Sequence, residues 1–434
     1  MKKFFLFFFW FTISSYGYAY DFEIDGVLYS IVSLDDKTVS VVRGDYETFH
    51  NGYYKGDIFI PSQVEYNGKT LRVVKIDDWA FTGCNITSIQ LSEGLQEIGQ
   101  NAFSDCKSLK EIVIPNSIST IANFAFLNCE NLNIVNLPNT LIYLGISSFG
   151  NCSKLKLQNE QLPSLLDRIY FGTFKYCWAI KRIVIPNTIK TIDNAFDNTS
   201  LSYLRIEDGE TPISLGAGDV YSSPGYNRYY NGTFTDCKID SLYLGRNVVY
   251  KTGNEENAGY YNHYNTPFYK NDGIKYLNIG EKVTNIPTFY DSSLKIILCQ
   301  SEKPFEIEAE TFSNSTYAGA ILYVPTGSKS SYESDVNWGK FFNIQEMDVE
   351  EMNNKSVSNI SQVKENAVFI QSSNGIVTVS GLDNGTNITI YSVSGNLVGS
   401  AKAFGNQSSI ATNLKAGDIA IIKIGEKSVK VVMQ

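Results

Sequence analysis

The feature that most constrains this chain is a short motif, Ala-Phe-x-x-Cys, which recurs through its middle. Six copies keep the Cys, and four other copies keep the Phe but lose the Cys. The ten Phe residues are Phe81, Phe103, Phe126, Phe149, Phe174, Phe196, Phe234, Phe268, Phe289 and Phe312. They are separated by 22, 23, 23, 25, 22, 38, 34, 21 and 23 residues. A period near 23 predicts a repeat architecture in which each unit stacks on the next.

A second pattern repeats in phase with the first. Its clearest copies are Leu109-x-x-Ile112-x-Ile114-Pro115, Leu132-x-x-Val135-x-Leu137-Pro138 and Ile180-x-x-Ile183-x-Ile185-Pro186. The last two apolar positions are two residues apart, which is the period of a strand. The Pro ends the strand because it has no amide hydrogen for the ladder. A pair such as Ile118-x-x-Ile121 then predicts a turn with inward apolar side chains.

Together these patterns predict a solenoid. Each unit supplies one strand and a return segment, and it buries its apolar face only against its neighbours. We expect a leucine-rich repeat solenoid with a parallel β-sheet on one face and irregular or short-helical returns. About ten repeats would occupy residues 57–346.

The order and spacing of strand, Pro, apolar turn and Ala-Phe-x-x-Cys resemble the BspA-like, or Treponema-type, leucine-rich repeat family. The segment Asp25–Tyr29 is similar to the β-rich N-terminal cap of that family, which sets a cap at 20–56. The segments Leu322–Ser328 and Trp338–Ile344 are similar to its terminal repeat. The resemblance implies a bacterial surface or secreted protein that takes part in adhesion. It implies no catalytic residue, no cofactor and no particular ligand.

Six of the seven cysteines share one repeat position. They are Cys84, Cys106, Cys129, Cys152, Cys177 and Cys237. Stacked equivalents about 5 Å apart would be within reach of a disulfide. Other repeats place Thr199, Asn271, Ser292 and Ser315 there, which favours a small buried side chain over a bonded pair. We therefore predict free buried thiols, with disulfides as the alternative in an exported chain.

The N-terminus has the composition of a secretory signal peptide. Lys2 and Lys3 precede an apolar run from Phe4 to Phe11, and the stretch ends in Gly-Tyr-Ala at Ala19. The run is too short to cross a bilayer about 30 Å thick. We predict a signal peptide at 1–19 and an extracellular or outer-surface location, with a buried N-terminal segment as the alternative. The rest of the sequence predicts no transmembrane segment.

Composition and motifs exclude several classes of function. The 434 residues carry a net charge of −9, which disfavours binding to nucleic acid. His50 and His263 are the only histidines, so a histidine-built metal site is not expected. The sequence contains no GxSxG, P-loop or HExxH motif. We expect no catalytic residues and no metal.

The C-terminal part has a different pattern. Residues 347–366 are polar and aperiodic, which predicts a linker. About seven short β-rich runs then fill 367–434 and predict a small all-β sandwich. The segments Ile390–Val398 and Lys427–Val432 resemble the sorting domains of the type IX secretion pathway. That resemblance implies export and surface attachment; an accessory β-domain is the alternative.

Two of the intervals between successive motif Phe residues are long, at 38 and 34 residues, and both are rich in Tyr. Insertions at about 207–232 and 245–266 should lie side by side on the solenoid. In the same repeats the strand pattern is Leu-x-x-Leu-x-Ile, and we expect the positions between its apolar residues to face outward. The predicted ligand-binding residues are Tyr203, Arg205, Tyr243, Lys275, Tyr276, Tyr229, Tyr230, Tyr260 and Tyr261. Tyr suits recognition because it combines an apolar ring with a polar tip. Alternatively, these rings pack the long loops onto the repeats.

Three functions remain open. The leading one is non-catalytic binding of a host or bacterial surface protein or glycan. The second is a structural role in the envelope, with the repeats as a spacer. The third is a glycan-active enzyme, although the sequence shows no acid–base pair with a group to position it.

Overall fold

A computed structural model describes residues 20–44, 53–216, 233–234, 236–250, 267–268, 271, 273–290, 292–354, 369–373, 375–380, 385–403, 407–415, 417–424 and 427–433. The predicted signal peptide at 1–19 lies outside these residues. The chain divides into two compact units, with the division after Met347.

The repeat unit begins with a β-rich cap. Its strands are β1 (Phe22–Ile24), β2 (Val27–Ser33), β3 (Thr38–Val41), β4 (Lys55–Ile60), β5 (Gln63–Tyr66) and β6 (Lys69–Ile76). The first three form an antiparallel meander, and β5 pairs antiparallel with β6. Strand β3 then pairs in parallel with β6, and β4 pairs in parallel with β7 (Asn85–Leu91). The cap therefore supplies the edges on which the first repeats stack.

In the first repeats, each unit contributes two short strands. They are β8 (Glu97–Ile98), β9 (Glu111–Val113), β10 (Thr120–Ile121), β11 (Ile134–Val135), β12 (Tyr143–Leu144) and β13 (Lys156–Leu157). Strands β7, β9, β11 and β13 join β4 in a five-stranded parallel sheet. Strands β8, β10 and β12 extend the sheet of the cap through β6. The apolar turn predicted around Ile121 thus forms a second parallel ladder.

The later repeats follow the same plan in a new pair of sheets. The strands are β14 (Arg168–Ile169), β15 (Arg182–Ile185), β16 (Thr191–Ile192), β17 (Tyr203–Ile206), β18 (Ile213–Leu215), β19 (Ser241–Leu244), β20 (Val248–Tyr250), β21 (Tyr276–Ile279), β22 (Ile296–Cys299), β23 (Ile321–Pro325) and β24 (Asn343–Met347). One sheet has the order β14-β16-β18-β20. The other is a seven-stranded parallel sheet, β15-β17-β19-β21-β22-β23-β24.

The Phe residues of the repeated motif form a continuous stacked column. From Phe81 to Phe312, successive ring centroids lie between 4.9 and 6.2 Å apart, with interplanar angles of 3° to 19°. Tyr54 contacts the first ring at 4.5 Å. At the other end, Phe312 packs against Trp338 and Phe341. The predicted solenoid fold is confirmed, and the ten Phe residues that defined the repeat period lie in one column.

The cysteine column lies beside the Phe column. All seven cysteines are free and buried, which confirms the prediction of free thiols. The thiol of Cys106 donates to the carbonyl oxygen of Phe81 in the preceding repeat, with 2.9 Å between Sγ and O. Cys129, Cys152 and Cys177 repeat this bond at 3.1 Å. Asn271 makes the equivalent bond to Phe234 in a repeat that lacks Cys. The column therefore needs a small hydrogen-bond donor.

Short helices follow only near the end of the repeat unit, within the part of the chain that the structure describes. They are α1 (Asn314–Gly319), α2 (Lys329–Ser334) and a 3-10 turn (Trp338–Lys340). The indole of Trp338 is fully buried and donates to the carbonyl of Phe305 at 2.7 Å. The start of the predicted linker, residues 349–354, is helical.

The C-terminal unit is a small antiparallel sandwich. Its strands are β25 (Phe369–Ser373), β26 (Ile376–Ser380), β27 (Asn387–Ser392), β28 (Leu397–Lys402), β29 (Gln407–Ala411), β30 (Ile419–Ile424) and β31 (Lys427–Val432). They form a sheet β25-β26-β29 and a sheet β28-β27-β30-β31. Val377, Val379 and Ile410 of the first pack with Ile388, Ile390 and Ile422 of the second. The predicted all-β fold of this segment is confirmed.

Candidate binding surface

The seven-stranded sheet brings part of the predicted binding set together. Its register pairs Arg182 with Tyr203 and Arg205 with Tyr243 across neighbouring strands. Leu204 and Ile206 alternate with these residues and are fully buried in the solenoid core. Because side chains alternate along a strand, Tyr203, Arg205 and Tyr243 lie on the outer face of the sheet. We call the outer side of strands β15, β17, β19 and β21 the outer face of β15–β21.

The first pair on this face is Arg182 and Tyr203. The guanidinium carbon lies 4.2 Å from the centroid of the Tyr203 ring, a cation–π stack. Glu160 accepts a bond from Nε of Arg182 at 2.7 Å and fixes its orientation. Tyr203 is only 4% exposed, and this burial raises the pKa of its hydroxyl. The tyrosine is therefore covered by the chain's own arginine.

The second pair, Arg205 and Tyr243, repeats the arrangement one strand further along. The guanidinium carbon of Arg205 lies 3.8 Å from the centroid of the Tyr243 ring. Asp208 accepts the Tyr243 hydroxyl at 2.6 Å and pairs with Arg205 at 3.1 Å. Burial, and then the hydrogen bond to Asp208, raises the pKa of Tyr243. Tyr243 is thus a buried donor held by a carboxylate, with 3% of its surface exposed.

Lys275 and Tyr276 are more accessible. Lys275 is exposed, and its ammonium lies 2.7 Å from a carboxylate oxygen of Asp240. The hydrogen bond to Asp240 raises the pKa of Lys275. Tyr276 is half-buried at the start of β21. A ligand on this face would meet Lys275, Tyr276 and the edges of the two arginines before the buried tyrosines.

The charges on this face are paired. The cations Arg182, Arg205 and Lys275 each have a carboxylate partner, so the surface offers oriented donors with little net charge. Within the described residues, no group of three or more His, Cys, Asp or Glu side chains is placed to hold a metal ion.

A family model of BspA type leucine rich repeat regions matches residues 69–156 and 105–217, in six copies. Residues 69–217 of this chain therefore carry BspA-type leucine-rich repeats. Solved structures are similar at low identity. A leucine-rich repeat protein from Bacteroides ovatus is 17% identical, covering 76% of this chain and 77% of that one, with a TM-score of 0.39. A leucine rich cell surface protein from Faecalibacterium prausnitzii is 16% identical, covering 77% and 96%, with a TM-score of 0.35. No curated protein matches the chain.

Other predicted residues cannot be placed on the BspA-type repeats. Tyr229, Tyr230, Tyr260 and Tyr261 lie outside the described residues. The predicted insertions begin later than the intervals suggested, since residues 213–215 and 248–250 are regular strands of the second ladder. The extra lengths therefore fall after Gly216 and after Tyr250.

Three residues of this face were missed at the sequence level. Arg182, Glu160 and Asp208 hold the two tyrosines in place, yet they lie 22 to 48 residues apart along the chain. The repeat pattern could have identified Arg182, because Arg182 occupies in one BspA-type repeat the outward position that Tyr203 occupies in the next. No helix among the described residues is long and apolar enough to cross a membrane.

Proposed function

We propose that this chain is exported and binds a macromolecular partner, without catalysis, through the outer face of β15–β21. One observation carries the proposal: two Arg–Tyr stacks are fixed by carboxylates next to the accessible Lys275 and Tyr276. A surface already held in one conformation loses little conformational entropy on binding. The family of bacterial surface leucine-rich repeat proteins supports a binding role for such repeats.

The composition of the face favours a protein as the partner, with a glycan as the alternative. Arg and Tyr are enriched where proteins meet, and they carry much of the binding energy there. The paired charges match a polar partner surface better than a strongly charged one. The partner would lie at a host or bacterial surface, in a role of adhesion.

The double variant Lys275→Ala/Tyr276→Ala tests this site. The whole chain would be measured by surface plasmon resonance against extracellular-matrix proteins, collagen and laminin among them. Lys110→Ala/Glu111→Ala is the matched control, since both are exposed and occupy the same frame positions in an early repeat. We expect saturable binding that falls at least tenfold in the first variant and is unchanged in the control. Equal affinities in all three proteins would refute the site.

A spacer role is the competing function, and the uninterrupted Phe column favours it. Ten rings stacked through ten repeats give a continuous core that suits a structural element. Absence of binding to every panel member by fully folded protein would favour this role.

We further propose that the C-terminal sandwich serves export or surface attachment. The support is the resemblance of Ile390–Val398 and Lys427–Val432 to sorting domains, on strands β27, β28 and β31. Removal of residues 348–434 should leave the repeat unit inside the producing cell's envelope. Unchanged export of the shortened chain would favour an accessory domain.

A further inference from the structure

One repeat differs from the others at three surface positions, and all three hold aromatic residues. This is the repeat whose motif Phe is Phe174. Three positions before that Phe, five other repeats have Asp78, Gln100, Asn123, Ile146 and Asp193, whereas this one has Phe171. Two positions after it, six others have Gly83, Asp105, Asn128, Asn151, Asn198 and Asp236, whereas this one has Tyr176. Four positions after it, six others have Asn85, Lys107, Glu130, Ser153, Ser200 and Lys238, whereas this one has Trp178.

These rings do not contribute to the core. Phe171 is 47% exposed, Tyr176 39% and Trp178 54%. The stacked Phe residues of the same array are buried, which shows that the fold can hide aromatic rings where it needs them. Exposed large rings in adjacent positions are typical of a binding surface.

Tyr176 also has an unfavourable backbone. Its φ is 61°, in the left-handed region that Gly, Asn and Asp tolerate and bulky residues avoid. The equivalent residues with positive φ in the other repeats are of those three types, for example Asn151 at 61° and Asn198 at 56°. At Tyr176 this strain occurs in the same repeat as two further exposed rings, and that combination points to a functional requirement.

Lys175 orders two of the rings. Its ammonium nitrogen lies 5.7 Å from the centroid of Phe171 and 5.4 Å from that of Tyr176. Asp197 holds the same ammonium group at 3.3 Å. The two rings therefore flank one fixed cation, and Trp178 follows two residues after Tyr176. We call Phe171, Lys175, Tyr176 and Trp178 the aromatic platform.

A row of amides leads to this platform. Asn128 donates from Nδ2 to Asp105 at 2.9 Å, and Asn151 donates from Nδ2 to Asn128 at 3.0 Å. Each residue of this column donates its backbone N–H to the carbonyl just before the equivalent residue of the next repeat. Asn151 donates to the carbonyl of Lys175 at 2.7 Å, so the next residue in the column is Tyr176. The hydrogen-bonding side chains of Asp105, Asn128 and Asn151 thus lead along the solenoid to one of the exposed rings, Tyr176.

We propose that the aromatic platform binds a carbohydrate chain. A sugar ring offers flat C–H faces for Phe171, Tyr176 and Trp178, and hydroxyl groups for the amides of Asn128 and Asn151. Aromatic rings with a few well-placed polar groups are the usual lining of ligand sites. A protein interface would need a larger continuous apolar area than three rings separated by polar side chains. The net charge of −9 disfavours nucleic acid as a stacking partner. The platform shares no residue with the outer face of β15–β21.

The repeats themselves supply the test variant. Tyr176→Asn/Trp178→Ser restores the residue types of the neighbouring repeats, so it should fold at least as well as the wild type. Trp79→Asn is the matched control, because Trp79 is 39% exposed with φ of 64° and the next repeat has Asn101 there. The whole chain would run in native affinity gels that contain xyloglucan, galactomannan, mixed-linkage β-glucan or mucin.

We expect retardation by at least one polysaccharide or by mucin, with an affinity that falls at least tenfold in the double variant and is kept in Trp79→Asn. No retardation in any gel would overturn the proposal, and so would equal retardation of wild type and double variant. Wild-type self-association that the double variant loses, seen by sedimentation, would instead assign the platform to a second copy. Lys275→Ala/Tyr276→Ala should bind the same gels normally, which separates this site from the outer face of β15–β21.

Discussion

The side chain of Arg246 passes directly over Gly209. A β-carbon on Gly209 would lie 3.2 Å from Cδ of Arg246. Arg246 thereby reaches past one repeat to the repeat before it, where Nη1 donates to the carbonyl of Asn187 at 2.8 Å and Nη2 to that of Pro186 at 3.0 Å. The arginine is 1% exposed, and burial lowers its pKa. A single side chain thus ties three consecutive repeats together.

Replacement of Arg246 by Met should destabilise the repeat unit. The carbonyls of Pro186 and Asn187 would lose their donors, at a cost of about 1–3 kcal/mol in the free energy of unfolding. Urea denaturation measures this loss. Arg72→Met is the control, since Arg72 is exposed and makes one long bond of 3.3 Å to a carbonyl. Equal stabilities of the two variants would show that the Arg246 bonds contribute nothing.

The Phe column should behave as the core of the solenoid. Phe126 is fully buried and stacks on Phe103 at 5.0 Å and on Phe149 at 4.9 Å. We expect Phe126→Ala to cost about 3–5 kcal/mol, because it removes buried surface and leaves a cavity. Phe59→Ala, at a 55% exposed ring, should change stability by less than about 0.5 kcal/mol. Thermal unfolding followed by circular dichroism compares them, and a mild effect at Phe126 would contradict the column's role.

The buried thiols should not react in the native protein. Burial raises the pKa of Cys237 to about 12 and that of Cys299 to about 11, so little thiolate forms at neutral pH. With Ellman's reagent we expect no fast reaction in buffer and seven thiols in guanidinium chloride. Fewer than seven after unfolding would reveal disulfides, and fast native reaction would reveal exposed thiols.

Asp197 should make stability depend on pH. Burial raises the pKa of its carboxyl from 3.8 to about 6, although Lys175 acts in the opposite direction. The folded state therefore holds the proton more tightly than the unfolded state. Its contribution to stability is complete below about pH 4 and is lost as pH rises through about 6. The loss is at most about 3 kcal/mol, given about 1.4 kcal/mol per pKa unit.

Asp197→Asn removes this titration. We expect the variant's free energy of unfolding to rise relative to wild type between about pH 4 and pH 7, in urea denaturation at each pH. Lys175 is partly exposed, so it stays hydrated without its partner. Parallel curves for the two proteins would contradict the shifted pKa of Asp197.

The core was predictable from the sequence, and the surface geometry was not. Phe81 to Phe312 and the cysteines recur in phase, so their stacking follows from the repeat period alone. The strand at Thr120–Ile121 was not foreseen, because its ladder is made by backbone groups of adjacent repeats. The pattern of apolar residues in the sequence indicates which side chains are buried, but it does not determine which backbone groups pair between repeats.

The candidate sites show the same limit. The frame placed Tyr203 and Tyr243 on the outer face, but the cover provided by Arg182 and Arg205 depends on the register between strands. Tyr176 was visible in principle, since its column holds Gly, Asn or Asp in the other repeats. Its exposure and its positive φ became evident only with the backbone in place.

The most direct test of the binding account is hydroxyl-radical footprinting of the whole chain, alone and saturated with the matrix protein that it binds. We expect oxidation of Tyr276 to fall sharply in the complex, while Trp79, exposed in an early repeat, should react as before. Protection confined to residues 369–433, with Tyr276 unchanged, would contradict the outer face of β15–β21 as the binding site.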